Sequence, residues 1–206
     1  MSENKFNLRS TACSMHCSAS REFTDSFYLD SMLPGAYLSD NTQTEASPVL
    51  GKGVFAVFSQ LHPSEKSKVS VINEYKSSII NAGNAAVNAC MENLEDQLVR
   101  SKNYSFAMVK VKGDVAQIYY KGDCTVYIYR NHKVIPLTDI NNKTQKQNNG
   151  KFSFTPEFKF VNNDAIILCT GGVKEKLSQN VLAHIMANTS GSKAAAQSIV
   201  LSANEN

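Results

Sequence analysis

Three runs in the second half of the chain are rich in β-branched and aromatic residues: 105–111 (SFAMVKV), 115–121 (VAQIYYK) and 125–130 (TVYIYR). They are punctuated by Lys112-Gly113-Asp114, Lys121-Gly122-Asp123 and Arg130-Asn131-His132, the composition of tight turns between antiparallel strands, so the pattern predicts a meander. Residues 51–58 (GKGVFAVF) and 165–169 (AIILC) read as buried strands, while 7–18 and 26–29 give weaker strand signals. Helical spacing is clearest across 69–98. There Val69, Ile72, Tyr75, Ile79, Ala86, Cys90, Met91, Leu94 and Leu98 fall at steps of three and four on one face, and Gly83 is placed to break the stretch into two helices. A short helix is expected over 173–177. Two amphipathic helices follow over 178–187 and 193–202, with Ser178 and Ser192 as candidate caps. Segments 33–50 and 139–150 are polar and predict loops, the second of them mobile. Strands in a meander with flanking helices make an α+β domain.

Composition narrows the setting. With 206 residues, 42% of them apolar, the chain suits a single domain over 1–206 with a sizeable core. The net charge of +3 is interspersed, and no basic run stands beside aromatic residues, which argues against nucleic acid. The apolar runs are too short to span a bilayer and residues 1–9 are polar, so the expectation is a cytoplasmic protein without membrane contact. Five cysteines are an odd number without a paired framework, in keeping with a reducing compartment. Cys13, His16 and Cys17 lie close together, but no further Cys or His cluster completes a four-ligand zinc site. Cys124 and Cys169 sit in apolar surroundings with no neighbouring His in sequence, as packing residues do.

The segment Gly122-Asp123-Cys124 followed by TVYIYRNHKVIPLT resembles the "GDSRxYLxRxGxxxxLTxDH" stretch of the metal-dependent, 2C-type (PPM) protein phosphatases. GKGVFAVF resembles that family's "GxFAVxDGxGG", and NDAIILCTGG its "gDxLLLcSDG"; the order of elements is similar from about residue 21 to residue 203. The resemblance implies a four-layer α-β-β-α sandwich of two antiparallel sheets between helices. It also implies a site at the strand ends where two Mn²⁺ or Mg²⁺ ions activate a water against phosphoserine or phosphothreonine. Departures fall on that site. Ser59 and Gln60 stand where the family has its metal-binding Asp-Gly, and Thr170, Gly171 and Gly172 stand in place of Ser-Asp-Gly. Neutral groups there leave paired cations without the charged oxygen ligands that offset their repulsion. Asp25 matches the last acidic position of the family's "R-x-x-N-E-D" run, and Arg21, one residue closer than that motif puts it, takes the phosphate-binding role. Asp123 matches the Gly-Asp carboxylate that contributes to a further metal, and equally suits a turn.

The expectation is therefore a pseudophosphatase, a scaffold without the two-metal centre and with no cofactor, which works by binding a protein partner such as a kinase, a phosphatase or a phosphoprotein. The alternative is an active Mn- or Mg-dependent phosphatase with a rearranged site built on Asp25 and Asp123, joined by Asp139 or Glu175. The family's closing "DN-x-T" turn and last strand have no counterpart before Asn206. The sequence thus reads as C-terminally truncated, or as leaving a sheet edge open to a partner or a second copy.

Overall fold

The runs at 125–130 and 165–169 pair antiparallel, and their alternation gives each of them two different apolar surroundings. A computed structural model of the chain describes residues 7–14, 25–29, 42–50, 52–60, 104–138, 146–148 and 152–205. In chain order the strands are β1 (Asn7–Ser14), β2 (Asp25–Leu29), β3 (Thr42–Leu50), β4 (Lys52–Gln60), β5 (Tyr104–Lys112), β6 (Val115–Lys121), β7 (Thr125–Arg130), β8 (Lys133–Pro136), β9 (Lys146–Asn148), β10 (Phe152–Phe154), β11 (Phe158–Lys159) and β12 (Ala165–Cys169). The helices are α1 (Gly171–Lys176), α2 (Gln179–Asn188) and α3 (Gly191–Glu205).

The large sheet has the order β2-β4-β5-β6-β10-β9, with β11 also on β6. A smaller sheet runs β12-β7-β8, and β1 pairs with β3. All of these pairings are antiparallel. Val126 of β7 and Ile166 and Leu168 of β12 pack with Val109 and Ile118 of the large sheet. The alternate residues Tyr127, Ile167 and Cys169 pack instead with Leu182 and Ile185 of α2 and Ile199 of α3. On the other face of β5, Phe106 and Met108 are also buried, so the large sheet is covered on both sides. The fold is an α+β sandwich of two antiparallel sheets with helices, and each fully buried aliphatic side chain in it contributes about 1.5–3 kcal/mol.

Three expectations need correction. Residues 42–50 are a strand rather than a loop: β3 lies along β1, and Pro48 falls where the register shifts between Leu8 and Ser10, a place where the missing N–H costs no ladder bond. Part of the polar segment 139–150 is likewise ordered, since β9 pairs with β10. The meander, finally, is divided. β5 and β6 form a hairpin, but β7 belongs to the other sheet, so Lys121-Gly122-Asp123 is a crossing between layers. Gly122 makes that crossing with φ +71°, and a Cβ there would lie 2.2 Å from Ser105 Oγ. The Asn131-His132 turn is a true hairpin, both residues having positive φ (51° and 62°) as a type I′ turn requires. The helical stretch 69–98, with Gly83 in it, lies outside the described residues, as do Arg21, His16, Cys17 and Asp139.

One ion pair fastens β7 to the turn that leads into β12. Arg130 Nε donates to Asp164 Oδ1 at 2.9 Å, Nη2 donates to Oδ2 at 2.6 Å, and Nη2 also reaches the Lys159 carbonyl at 2.8 Å. The Asp164 side chain is only 2% exposed. Burial by itself raises its pKa, but the Arg130 hydrogen bonds, the Val161 N–H and the Arg130 charge together hold it below the usual carboxylate value. A carboxylate with a depressed folded-state pKa stabilises fully above its unfolded value of about 3.9, and loses that contribution as the pH falls through the lower folded value. Asp164→Asn is therefore expected to lower the unfolding free energy at pH 7 by about 1–3 kcal/mol, with the gap to wild type closing below about pH 4. Urea titrations across that range check this, and a gap that stays constant down to pH 2 would contradict the linkage.

Candidate functional site

Asp25, the first residue of β2, lies opposite Ser59 of β4 in the antiparallel register. Ser59 Oγ donates to Asp25 Oδ1 at 2.7 Å, and Thr170 Oγ1 donates to Asp25 Oδ2 at 2.5 Å. Thr170 joins β12 to α1, so a single carboxylate links the large sheet to the end of the small one. Hydrogen bonds to an ionised acceptor are about twice as strong as neutral ones. Thr170 also occupies the N-cap position of α1, yet its side chain makes no cap bond, its hydroxyl being committed to Asp25.

Asp123 lies on the neighbouring crossing turn. Its backbone N–H donates to Ser105 Oγ at 3.1 Å, and its carbonyl accepts from Thr125 Oγ1 at 3.3 Å. Ser105 is fully buried and stands opposite Ser59 in the β4–β5 ladder. Gly171 begins α1 directly against this turn: a Cβ on it would come within 3.3 Å of Asp123 Cβ. Asp25, Ser59, Asp123 and Gly171 are thus brought together. Gly172 is exposed with open space around it, and Gln60 ends β4 opposite Tyr104. Glu175 is exposed on α1.

Two buried thiols lie beside these groups. The Cys124 thiol is pushed far up by burial, and further by the charges of Asp25, Cys169 and Asp123, with Lys174 opposing. Burial pushes the Cys169 thiol up to about 12. Both remain protonated at neutral pH and act as packing residues, as their apolar surroundings in the sequence imply.

The donors at this point are the carboxylates of Asp25 and Asp123 and the hydroxyls of Ser59 and Thr170. Among the described residues, no three His, Cys, Asp or Glu side chains converge on a point where a metal ion would sit. Among the described residues this donor set supplies two carboxylates, whereas a pair of divalent cations needs several charged oxygen ligands in common. What it does supply is a hydrogen-bonded latch between the two sheets.

Sequence reasoning missed Thr170 and Ser105. In sequence Thr170 stands only, with the two glycines, in place of the family's Ser-Asp-Gly, and its bond to Asp25 is a contact with an element distant in sequence. The register that sets Ser105 across from Ser59 is a property of the pairing, which no local pattern carries. Ser59→Ala and Thr170→Val are each expected to cost about 1–2 kcal/mol, because each removes a donor from a carboxylate held between the sheets. In an Asp25→Ala background the same changes are expected to cost less, a coupling of about 0.5 kcal/mol or more that a double-mutant cycle by urea denaturation measures. Full additivity would show that the three side chains do not act together.

No protein-family model matches the sequence, and no curated protein does either. Solved structures match over nearly the whole chain. PppA, a key regulatory component of T6SS in Pseudomonas aeruginosa, is similar with a TM-score of 0.69 at 13% identity, over 98% of this chain and 94% of that one. A serine/threonine phosphatase of S. agalactiae gives 0.67 at 11% identity, over 96% and 94%. The catalytic domain of the serine/threonine protein phosphatase PstP, in complex with two manganese ions, gives 0.65 at 12% identity, over 97% and 93%. The two antiparallel sheets, their helices and these likenesses together establish that this chain has the fold of the 2C-type, metal-dependent protein phosphatases.

Proposed function

We propose that the chain is a phosphatase-like regulatory module, a single domain over residues 1–206 that binds a protein partner in phosphorylation signalling and does not itself hydrolyse phosphate. The observation that carries this reading is the state of Asp25. Both of its oxygens accept from hydroxyls, at a place where the family resemblance calls for carboxylates and two cations. Ser59 and Gly171 at the two strand ends supply no anionic ligand, and Gln60 and Gly172 beside them are neutral as well. The similarity to PppA, whose description is that of a regulatory component, supports a role exercised through protein contacts. The partner class is a kinase, a phosphatase or a phosphoprotein, or a second copy paired through an open sheet edge. No described helix is long and apolar enough to cross a membrane, and we place the module in the cytoplasm.

A second reading has one observation in its favour. Thr170 bonds to Asp25 while the next residue, Gly171, lies against Asp123, which brings two carboxylates to one strand end, as an Mn- or Mg-dependent phosphatase with a rearranged site requires. On this second reading Arg21 keeps the phosphate-binding role that the resemblance gives it.

Calorimetric titration with Mn²⁺ and a phosphothreonine-peptide assay separate the two readings. The regulatory reading predicts no metal-binding heat and no release of phosphate above the buffer rate. Turnover that is Mn²⁺-dependent and abolished by Asp25→Ala or Asp123→Ala would overturn it.

A further inference from the structure

At the end of the sandwich away from Asp25, five strands start or stop on a basic residue. Lys52 begins β4, Lys112 ends β5, Arg130 ends β7, Lys133 begins β8 and Lys159 ends β11. The opposite ends of the same strands are Gln60, Tyr104, Thr125, Pro136 and Phe158, none of them charged. Lysines that serve solubility alone are interspersed with acids over a surface. In these strands the cations are gathered at one end.

The pairing makes them neighbours. Lys52 stands opposite Lys112, and Lys112 and Lys159 both stand opposite Val115, on either side of β6. Lys133 stands opposite Arg130, whose Nη2 reaches the Lys159 carbonyl at 2.8 Å. The row therefore crosses from the large sheet to the small one. Neighbouring strands lie about 4.8 Å apart and stacked sheets about 10 Å, so it is roughly 25 Å long.

The acids beside the row are already engaged. Asp164 is held by Nε and Nη2 of Arg130, and Asp114 lies 3.6 Å from Lys159 Nζ. That second bridge is weak, with the Lys159 side chain 76% exposed and Asp114 44% exposed. Lys112 and Lys133 are exposed and have no ion pair among the described residues.

We propose that this row is a docking surface for an acidic segment of the partner protein, which lies extended across the strand ends and presents carboxylates to Lys112, Lys133 and Lys159. The chemistry of the row selects that occupant. Phosphate groups are best read by a guanidinium fork, and the fork of Arg130 is already bidentate to Asp164. Ammonium groups are point charges, which suit carboxylates spread along a chain. An anionic membrane surface is read by clusters of about four to eight cations, and Asp114 and Asp164 leave this row with fewer uncompensated. This surface deepens the regulatory reading by giving the partner's chemistry, and rests on that reading for there being a partner. Binding at these lysines is measured without metal, so its failure would remove the surface and leave the regulatory reading to the Mn²⁺ titration.

The test is fluorescence anisotropy on the whole chain with a labelled peptide of about eight residues, alternating glutamate and serine, which is long enough to span the row. Saturable binding is expected at an ionic strength of about 0.02 M, weakening at least about tenfold at about 0.3 M as the charges are screened. Lys112→Glu with Lys133→Glu is expected to weaken it at least about tenfold while circular dichroism shows the fold retained. Lys112→Gln with Lys133→Gln, which removes the charges without reversing them, gives a smaller loss in the same direction. Lys174→Glu with Lys176→Glu, on α1 at the Asp25 end, changes the net charge equally and is expected to leave binding within about twofold. A peptide with two phosphoserines in place of the four glutamates carries about the same charge and is expected to bind no more tightly. Tighter binding of the phosphoserine peptide would overturn the proposal, as would capture by phosphatidylserine vesicles that the acidic peptide does not compete away. Absence of saturable binding, or equal losses in the two glutamate double variants, would overturn it as well.

Discussion

Because β7 and β12 alternate strictly, the small sheet has two apolar faces, and each must be buried. Val126, Ile166 and Leu168 demand the large sheet on one side, while Tyr127, Ile167 and Cys169 demand α2 and α3 on the other. A slip of one residue in the β7–β12 register would turn every one of these side chains to the wrong layer. The rest of the architecture answers to that constraint. The Gly122 crossing carries the chain from the large sheet to the small one, Arg130 and Asp164 pin the far end of β7 to the turn before β12, and Thr170 closes the other end onto Asp25.

The carboxylate of Asp25 sits where layers stacked in this way bring strand ends into contact. Such a junction concentrates backbone termini and polar side chains, and it must be satisfied electrically. Paired divalent cations among several carboxylates are one solution, with catalytic power as the outcome. Hydroxyl donors on a carboxylate are another, and among the described residues Ser59 and Thr170 take that part at Asp25. The proposed regulatory role follows from that difference, since a scaffold that keeps its shape keeps its surfaces for binding.

Much of the fold was legible in the chain because long apolar runs of period two leave few alternatives, as at residues 105–111, 115–121, 125–130 and 165–169. Ser178 was also readable, as it accepts from the Val181 N–H at the start of α2. Two kinds of information were not local. β3 has a polar, proline-containing sequence that becomes a strand only because β1 offers an edge. The division of the meander depends on what lies opposite β7, and the turn sequence at Gly122 serves a crossing as well as a hairpin. At the site, Asp25, Ser59, Asp123 and Gly171 were found through the family resemblance, whereas Thr170 and Ser105 owe their roles to contacts between elements distant in sequence. Arg21 lies outside the described residues, so its assignment rests on the resemblance.

The central claim is that hydroxyl donors, and not cations, satisfy the carboxylate at the junction of the sheets. Anomalous diffraction at the manganese edge, from crystals soaked in Mn²⁺, tests it most directly. The account predicts no anomalous peak beside Asp25 and Asp123, with Ser59 and Thr170 still bonded to Asp25. Two peaks bridged by Asp25, with those hydroxyls displaced, would contradict it.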